Sequence, residues 1–374
     1  MIAFVTTARP TRRRVRRVRL TWIAIVLSLF ILGWAPAALA TEPASMRDFD
    51  ALALQGDVKA GLVILKRIAV ETLSAEDRKR RDAILSRFGD AELPKVDVEA
   101  PLARDVADVY LKYWRRCLLK EVEVPAANAE LFGNLKACLN KHGKDPDRFS
   151  SLDDLTEALG PMLLAEGVYS LRGVTKPYYE LMLWKGEAVN QYTVELPEST
   201  EQTKVVLMSG FVLKGWLGFA TYDRDYTTGW TRKDSLHCLR EAYDLDSERF
   251  RVSFLAHEAQ HFSDARRFPK LEQPEQEYRA KLVELSRAED SLYQLLEAFT
   301  HQGGTDRKSP HPFANRRVVQ HLSNALFGDD SASQNPALWS QKSRGEIHEA
   351  ALKLLRNSTA TLQGKGADRV RRYL

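Results

Sequence analysis

The stretch Phe254-Leu255-Ala256-His257-Glu258-Ala259-Gln260-His261 decides the reading of this chain. Asp246 or Ser247 offers an N-cap, and Pro269 closes the segment, so the pattern predicts one helix over 248–268. On such a helix, residues four apart share a face, with Cβ atoms about 5–6 Å apart. Two imidazoles at that spacing, His257 and His261, suit one tetrahedral ion with metal–nitrogen bonds of about 2.0–2.1 Å. Glu258 stands beside the first histidine, where its carboxylate reaches a water held by such an ion without ligating the ion itself.

The chain around this helix changes texture twice. Residues 46 to about 165 read as helical: Val106, Val109, Tyr110, Tyr113 and Cys117 recur at helical spacing, and Ser151 with Asp154 opens a further helix. From about 190, alternation takes over in Tyr192–Leu196, in Lys204–Leu213, in Trp216–Tyr222 and in Ser235–Leu239. These segments predict a small antiparallel sheet. Helical periodicity returns at 248. It continues after Pro274 in a long helix from Glu275 to about Thr300, then over about 313–327 and 344–357, before a basic tail from Gly364 that is expected to fray. The fold class is therefore α+β: an N-terminal helical region, a small sheet, then the helices that carry the motif.

The motif, its uncharged surroundings and the sheet before it resemble the zincin metallopeptidases, in which the motif helix lies under a sheet whose edge strand holds the substrate. Phe262-Ser263-Asp264 follows His261, so the glycine and third histidine of the metzincins are missing. The sequence is closer to the gluzincins, whose third ligand is a Glu on the next helix. Ser263 departs from the apolar residue that the extended pattern favours. The resemblance covers about 250–285 and implies bound Zn2+, with Glu258 as general base. For the third ligand, Glu272, Glu275, Glu277 and Glu284 are available. Glu272 falls between two prolines. Glu277-Tyr278-Arg279-Ala280 fits a gluzincin habit of Ala three residues after the ligand, so Glu277 is preferred, with Glu284 second. A donor to the oxyanion is expected beyond that ligand, and His311, in Ser309-Pro310-His311-Pro312, is the choice over His301 and His321. Asp264 is expected either to orient a ligand imidazole or to pair with Arg266 or Arg267. His237 and the aromatics Trp216, Phe219, Tyr222 and Trp230 are expected to serve the sheet.

The first 40 residues read as a targeting segment. Seven arginines precede an apolar run from Leu20 to Trp34, and Ala38-Leu39-Ala40 closes it in the manner of a signal peptide. Without those arginines, 48 Lys and Arg face 50 Asp and Glu, so no basic surface for nucleic acid is expected. Three cysteines, Cys117, Cys138 and Cys238, are too few for a disulfide framework, although export would permit a bridge between Cys117 and Cys138. The expected organisation is a signal peptide over 1–40, a helical region over 41–165 and a zincin-like domain over 166–374. The expected product is an exported, periplasmic or secreted bacterial metallopeptidase acting on peptides or proteins, with no stable membrane span after signal cleavage. The competing class is an exported interaction protein with a structural or vestigial zinc site.

Overall fold

The computed structural model describes residues 44–89, 92–232 and 235–374; the segment expected to be a signal peptide, 1–40, lies outside the described residues. Six helices come first: α1 (Met46–Leu54), α2 (Val58–Arg67), α3 (Ala75–Phe88), α4 (Pro101–Leu118), α5 (Val124–Lys141) and α6 (Leu152–Leu164). Their starts carry their own signals. Ser45 forms a capping box with Asp48, Ser74 and Ser151 cap α3 and α6, and Pro101 occupies the first turn of α4, where its missing N–H costs nothing.

α4 and α5 pack antiparallel. Tyr113 donates to Asn128 near the connecting turn (2.7 Å), and Lys141 meets Asp105 at the far end (2.6 Å). This register decides the cysteine question. Cys117 stands by the turn and Cys138 by Asp105, so about 12 residues of α4, or roughly 18 Å at 1.5 Å per residue, separate their levels. A disulfide needs Cα atoms within about 7 Å. All three cysteines are buried thiols, and the bridge that export would permit is not formed.

The sheet comprises β1 (Tyr169–Thr175), β2 (Tyr178–Glu195), β3 (Thr200–Lys214), β4 (Gly229–Arg232) and β5 (Ser235–Leu239), in the order β1-β2-β3-β5-β4. It is mixed rather than antiparallel, because β5 joins β3 in parallel, with Val205 opposite Leu236 and Met208 opposite Leu239. The crossover that parallel pairing needs contains α7 (Gly215–Thr221), so Trp216–Tyr222 is not the strand its alternation predicts. Gly215 sits at φ +83° and turns the chain, and the buried Glu180 carboxylate accepts the Trp216 N–H at 2.9 Å. A Cβ at position 215 would run into that carboxylate.

The helices that carry the motif follow. A π-helical stretch, Arg249–Ala256, runs without a break into α8 (His257–Arg267), and α9 (Gln273–Arg287) returns beside it. The single long helix expected from Glu275 to Thr300 is divided. Ala288 is extended, and α10 (Leu292–His301) begins after it. Glu248 fixes the break by accepting the N–H groups of Glu289, Asp290 and Ser291 at 2.9–3.0 Å. Burial opposes its charge, but these bonds hold its carboxyl down at about 2. α11 (Pro310–Phe327) and α12 (Arg344–Lys365) complete the fold. The tail does not fray: Val370 is buried, Tyr373 bonds Ser358 at 2.6 Å, and Arg371 and Arg372 both pair with Glu272.

Among the described residues two large apolar cores form, beside two smaller clusters. One joins the N-terminal helices to Tyr178, Leu181, Leu183, Trp216 and Phe219; Trp114 also donates to the Tyr179 carbonyl at 2.8 Å. The other clamps Val205, Leu207, Leu236 and Cys238 of the sheet against Phe254, Ala259, Tyr278 and Leu282. The motif helix is thereby pressed against one face of the sheet. Among the described residues, no helix is long and apolar enough to cross a membrane.

Candidate metal centre

His257 and His261 project from the first turn and a half of α8 towards α9. Ala280, one turn after Glu277 on α9, has no exposed surface. The Nε2 atoms of the two histidines are 3.2 Å apart. Glu277 of α9 faces both: Oε2 is 3.4 Å from His257 Nε2, and Oε1 is 3.4 Å from His261 Nε2. A tetrahedron with bonds of about 2.0–2.1 Å has edges of about 3.3 Å. The two nitrogens are about one such edge apart and each faces a different Glu277 oxygen, a grouping that could hold a metal ion. Among the described residues, no other carboxylate joins this buried group.

Glu284 is not part of the ligand face. Its Oε1 lies 2.6 Å from His257 Nδ1, on the far side of the ring. A carboxylate there accepts a hydrogen bond from Nδ1–H, the tautomer that leaves the Nε2 lone pair free for a metal. Burial alone would lower the His257 pKa, but Glu284 and Glu277 outweigh it and hold the metal-free ring at about 10. Burial likewise opposes the charge of Glu277, yet His261 and His311 beside it keep its carboxyl well below the usual range.

Glu258 is 1% exposed, and its Oε2 accepts the Thr231 hydroxyl at 2.7 Å. Thr231 lies on β4, an edge strand of the sheet. The carboxylate beside the histidine pair is therefore tied to the strand edge rather than to either ligand. His311, in the first turn of α11, brings Nδ1 within 2.8 Å of Glu277 Oε2. Its side chain is 36% exposed, against 5–7% for His257, His261 and Glu277.

The remaining expectations resolve as follows. Asp264 orients no imidazole and pairs with neither Arg266 nor Arg267. It is fully buried and accepts both from Arg279 Nε, at 2.9 Å to each oxygen, and from Gln260 at 2.8 Å. Arg279 in turn reaches Ser358 and Thr359 of α12 and Glu198 of the β2–β3 turn. Arg266 and Arg267 pair instead with Glu201 and Glu198. Ser263 is polar for a local reason, since its hydroxyl meets Ser199 at 2.9 Å. Glu272 pairs with the tail, and Glu275 with Arg307. His301 stands exposed beside Glu297, and His321 bonds the Tyr278 hydroxyl at 2.8 Å. His237 stacks on Trp230 at 5.4 Å. Leu236 and Cys238 face the motif helix, so alternation turns His237 to the opposite face of the sheet.

Thr231 and the role of Glu284 were missed in the sequence. A threonine on a four-residue strand carries no signal of its own, and Glu277 and Glu284 share a helix face. A cavity of about 230 Å³ lined by Arg87, Lys95, Phe211, Lys214 and Phe219 shares no residue with the His257, His261 and Glu277 group.

Compared with family models, with curated proteins and with solved structures, the chain matches none.

Proposed function

We propose that the chain is an exported zinc-dependent peptidase, with His257, His261 and Glu277 as metal ligands and Glu258 as general base. One observation supports the reading: two imidazole nitrogens 3.2 Å apart, each 3.4 Å from a Glu277 oxygen, with a second carboxylate next in sequence to the first histidine. The donor set of two imidazoles and one carboxylate suits zinc and leaves a fourth position open. When bound, such an ion polarises a carbonyl and makes water a nucleophile near neutral pH.

The residues of the chain then divide the work. Glu284 holds the His257 ring in the ligating tautomer. Glu258 takes a proton from the attacking water and returns one to the leaving amine, and Thr231 fixes its carboxylate by a hydrogen bond to one oxygen. The other oxygen remains for the proton. The role of oxyanion donor expected for His311 falls to its Nε2, since its Nδ1 faces Glu277. Edge strand β4, adjoining Glu258, offers backbone groups to an extended peptide.

A second reading also has an observation behind it. His257, Glu258, His261 and Glu277 are only 1–6% exposed, as in a closed structural site. In that reading the chain is an exported interaction protein and the metal holds α8 to α9. The test takes the full chain and its Glu258→Gln variant, with metal analysis and a broad peptide library. Zinc in both proteins, with cleavage lost by about 10²–10⁴-fold in the variant, supports the peptidase. Equal cleavage by both rules out Glu258 as base, and no zinc in either rules out the metal centre.

A further inference from the structure

The end of the α4–α5 pair away from its turn gathers three groups that the proposed chemistry does not use. Cys138 and His142 are four residues apart at the C-terminal end of α5, so they share a face. Asp105 stands opposite on α4, with Oδ2 2.8 Å from His142 Nε2. One donor atom from each of Asp105, Cys138 and His142 lies within 4.8 Å of the others. Cys138 is 7% exposed, and its thiol is pushed up to about 11 by burial and by the Asp105 charge. A buried thiol thus faces a carboxylate.

Two features at this spot favour a cation. The C-terminal carbonyls of α5 point their negative ends here. Lys141 already brings its Nζ to 2.6 Å from the same Asp105 oxygen. Its side chain is 70% exposed, and surface ion pairs of this kind contribute little, so it swings aside at small cost. Asp105 and His142 are 26% and 17% exposed, which gives an ion a path from solvent.

We propose that Asp105, Cys138 and His142 form a second metal site, independent of the His257 group, which takes a borderline divalent cation of the zinc type. Thiolate and imidazole select against calcium and magnesium, which take oxygen donors. On binding, the Cys138 S–H bond breaks, its proton leaves to solvent and the sulfur lone pair joins the ion. Binding therefore strengthens as pH rises.

Cobalt(II) is the probe, because a thiolate ligand gives a near-ultraviolet sulfur-to-cobalt charge-transfer band and the His257 group has no sulfur. The full chain is expected to show this band, and His261→Ala to keep it. Cys138→Ser should abolish it, and His142→Ala should weaken cobalt binding at this site at least ~10-fold. His142 is partly exposed, so its replacement keeps the test decisive if Cys138→Ser fails to fold. Absence of the band in the full chain, or a band of full strength in both variants, overturns the proposal. His261→Ala separates the two sites: a chain that keeps the band but loses one equivalent of metal carries both.

Discussion

Replacing Glu284 by Gln tests how the metal centre is built. Glu284 Oε1 is 2.6 Å from His257 Nδ1, and both side chains are 5% exposed. The glutamine carbonyl still accepts the Nδ1 proton, so the ring keeps its orientation but loses the adjacent negative charge. Outer partners of this kind are worth about 10–100-fold in metal affinity, or about 1.4–2.7 kcal/mol at 1.36 kcal/mol per tenfold. Glu277→Gln removes a charged ligand and should cost more. The assay is zinc competition against a chromophoric chelator on the full chain. A second quantity follows from protonation. In the metal-free chain Glu284 and Glu277 hold His257 at about 10, so a proton competes with zinc at every lower pH. Affinity should rise about tenfold per unit as pH approaches 10. Without the Glu284 charge the ring releases its proton lower, and the rise should level off earlier. Unchanged affinity together with an unchanged pH slope in Glu284→Gln would refute the assignment. Equal losses in Glu284→Gln and Glu277→Gln would make Glu284 a ligand.

Three further outcomes are expected. Burial lifts the Glu180 carboxyl to about 7, so its neutral form is favoured in the folded chain. Stability from this group is full below about pH 4.5 and falls as pH rises through 7; Glu180→Gln should therefore stabilise by up to about 3 kcal/mol at pH 8 and not at pH 4, as read by urea unfolding. Arg279→Met leaves Asp264 buried without its charge partner and should destabilise by about 3–5 kcal/mol, checked by the same unfolding curves at pH 7. Chain prepared without reductant and then denatured should titrate three thiols; a count of one would show that Cys117 and Cys138 are bridged after all.

What the sequence disclosed followed from local rules. The helical spacing of His257 and His261, with Glu258 between them, is a local fact, and so is the preference for a Glu before a small Ala280. Glu277 and Glu284 lie two turns apart on one face, however. Which one meets the Nε2 atoms depends on how far α9 slides along α8, and no local pattern encodes that. β2 was mostly missed because Leu181-Met182-Leu183-Trp184 is buried on both faces and does not alternate. Trp216–Tyr222 alternates yet winds into α7, because Gly215 and the distant Glu180 carboxylate set its backbone. The tail was judged by its charge, but Tyr373 and the pairing of Arg371 and Arg372 with Glu272 dock it against α9 and α12. In each case a partner far away in the chain overrode a local preference.

The π-helical stretch ahead of His257 has a consequence for descent. The His257 N–H reaches back to the Val252 carbonyl, one residue further than an α-helix allows. Such a turn holds one extra residue, and each residue rotates an α-helix by about 100°. The insertion lets Phe250 and Phe254 face the core while His257 and His261 face α9. Deleting one residue between Phe250 and Phe254 would keep the motif intact in sequence and swing Phe250 by about 100° relative to it. A cousin of this chain lacking the extra residue would align only with a single-residue gap inside a helix, where gaps are ordinarily least expected.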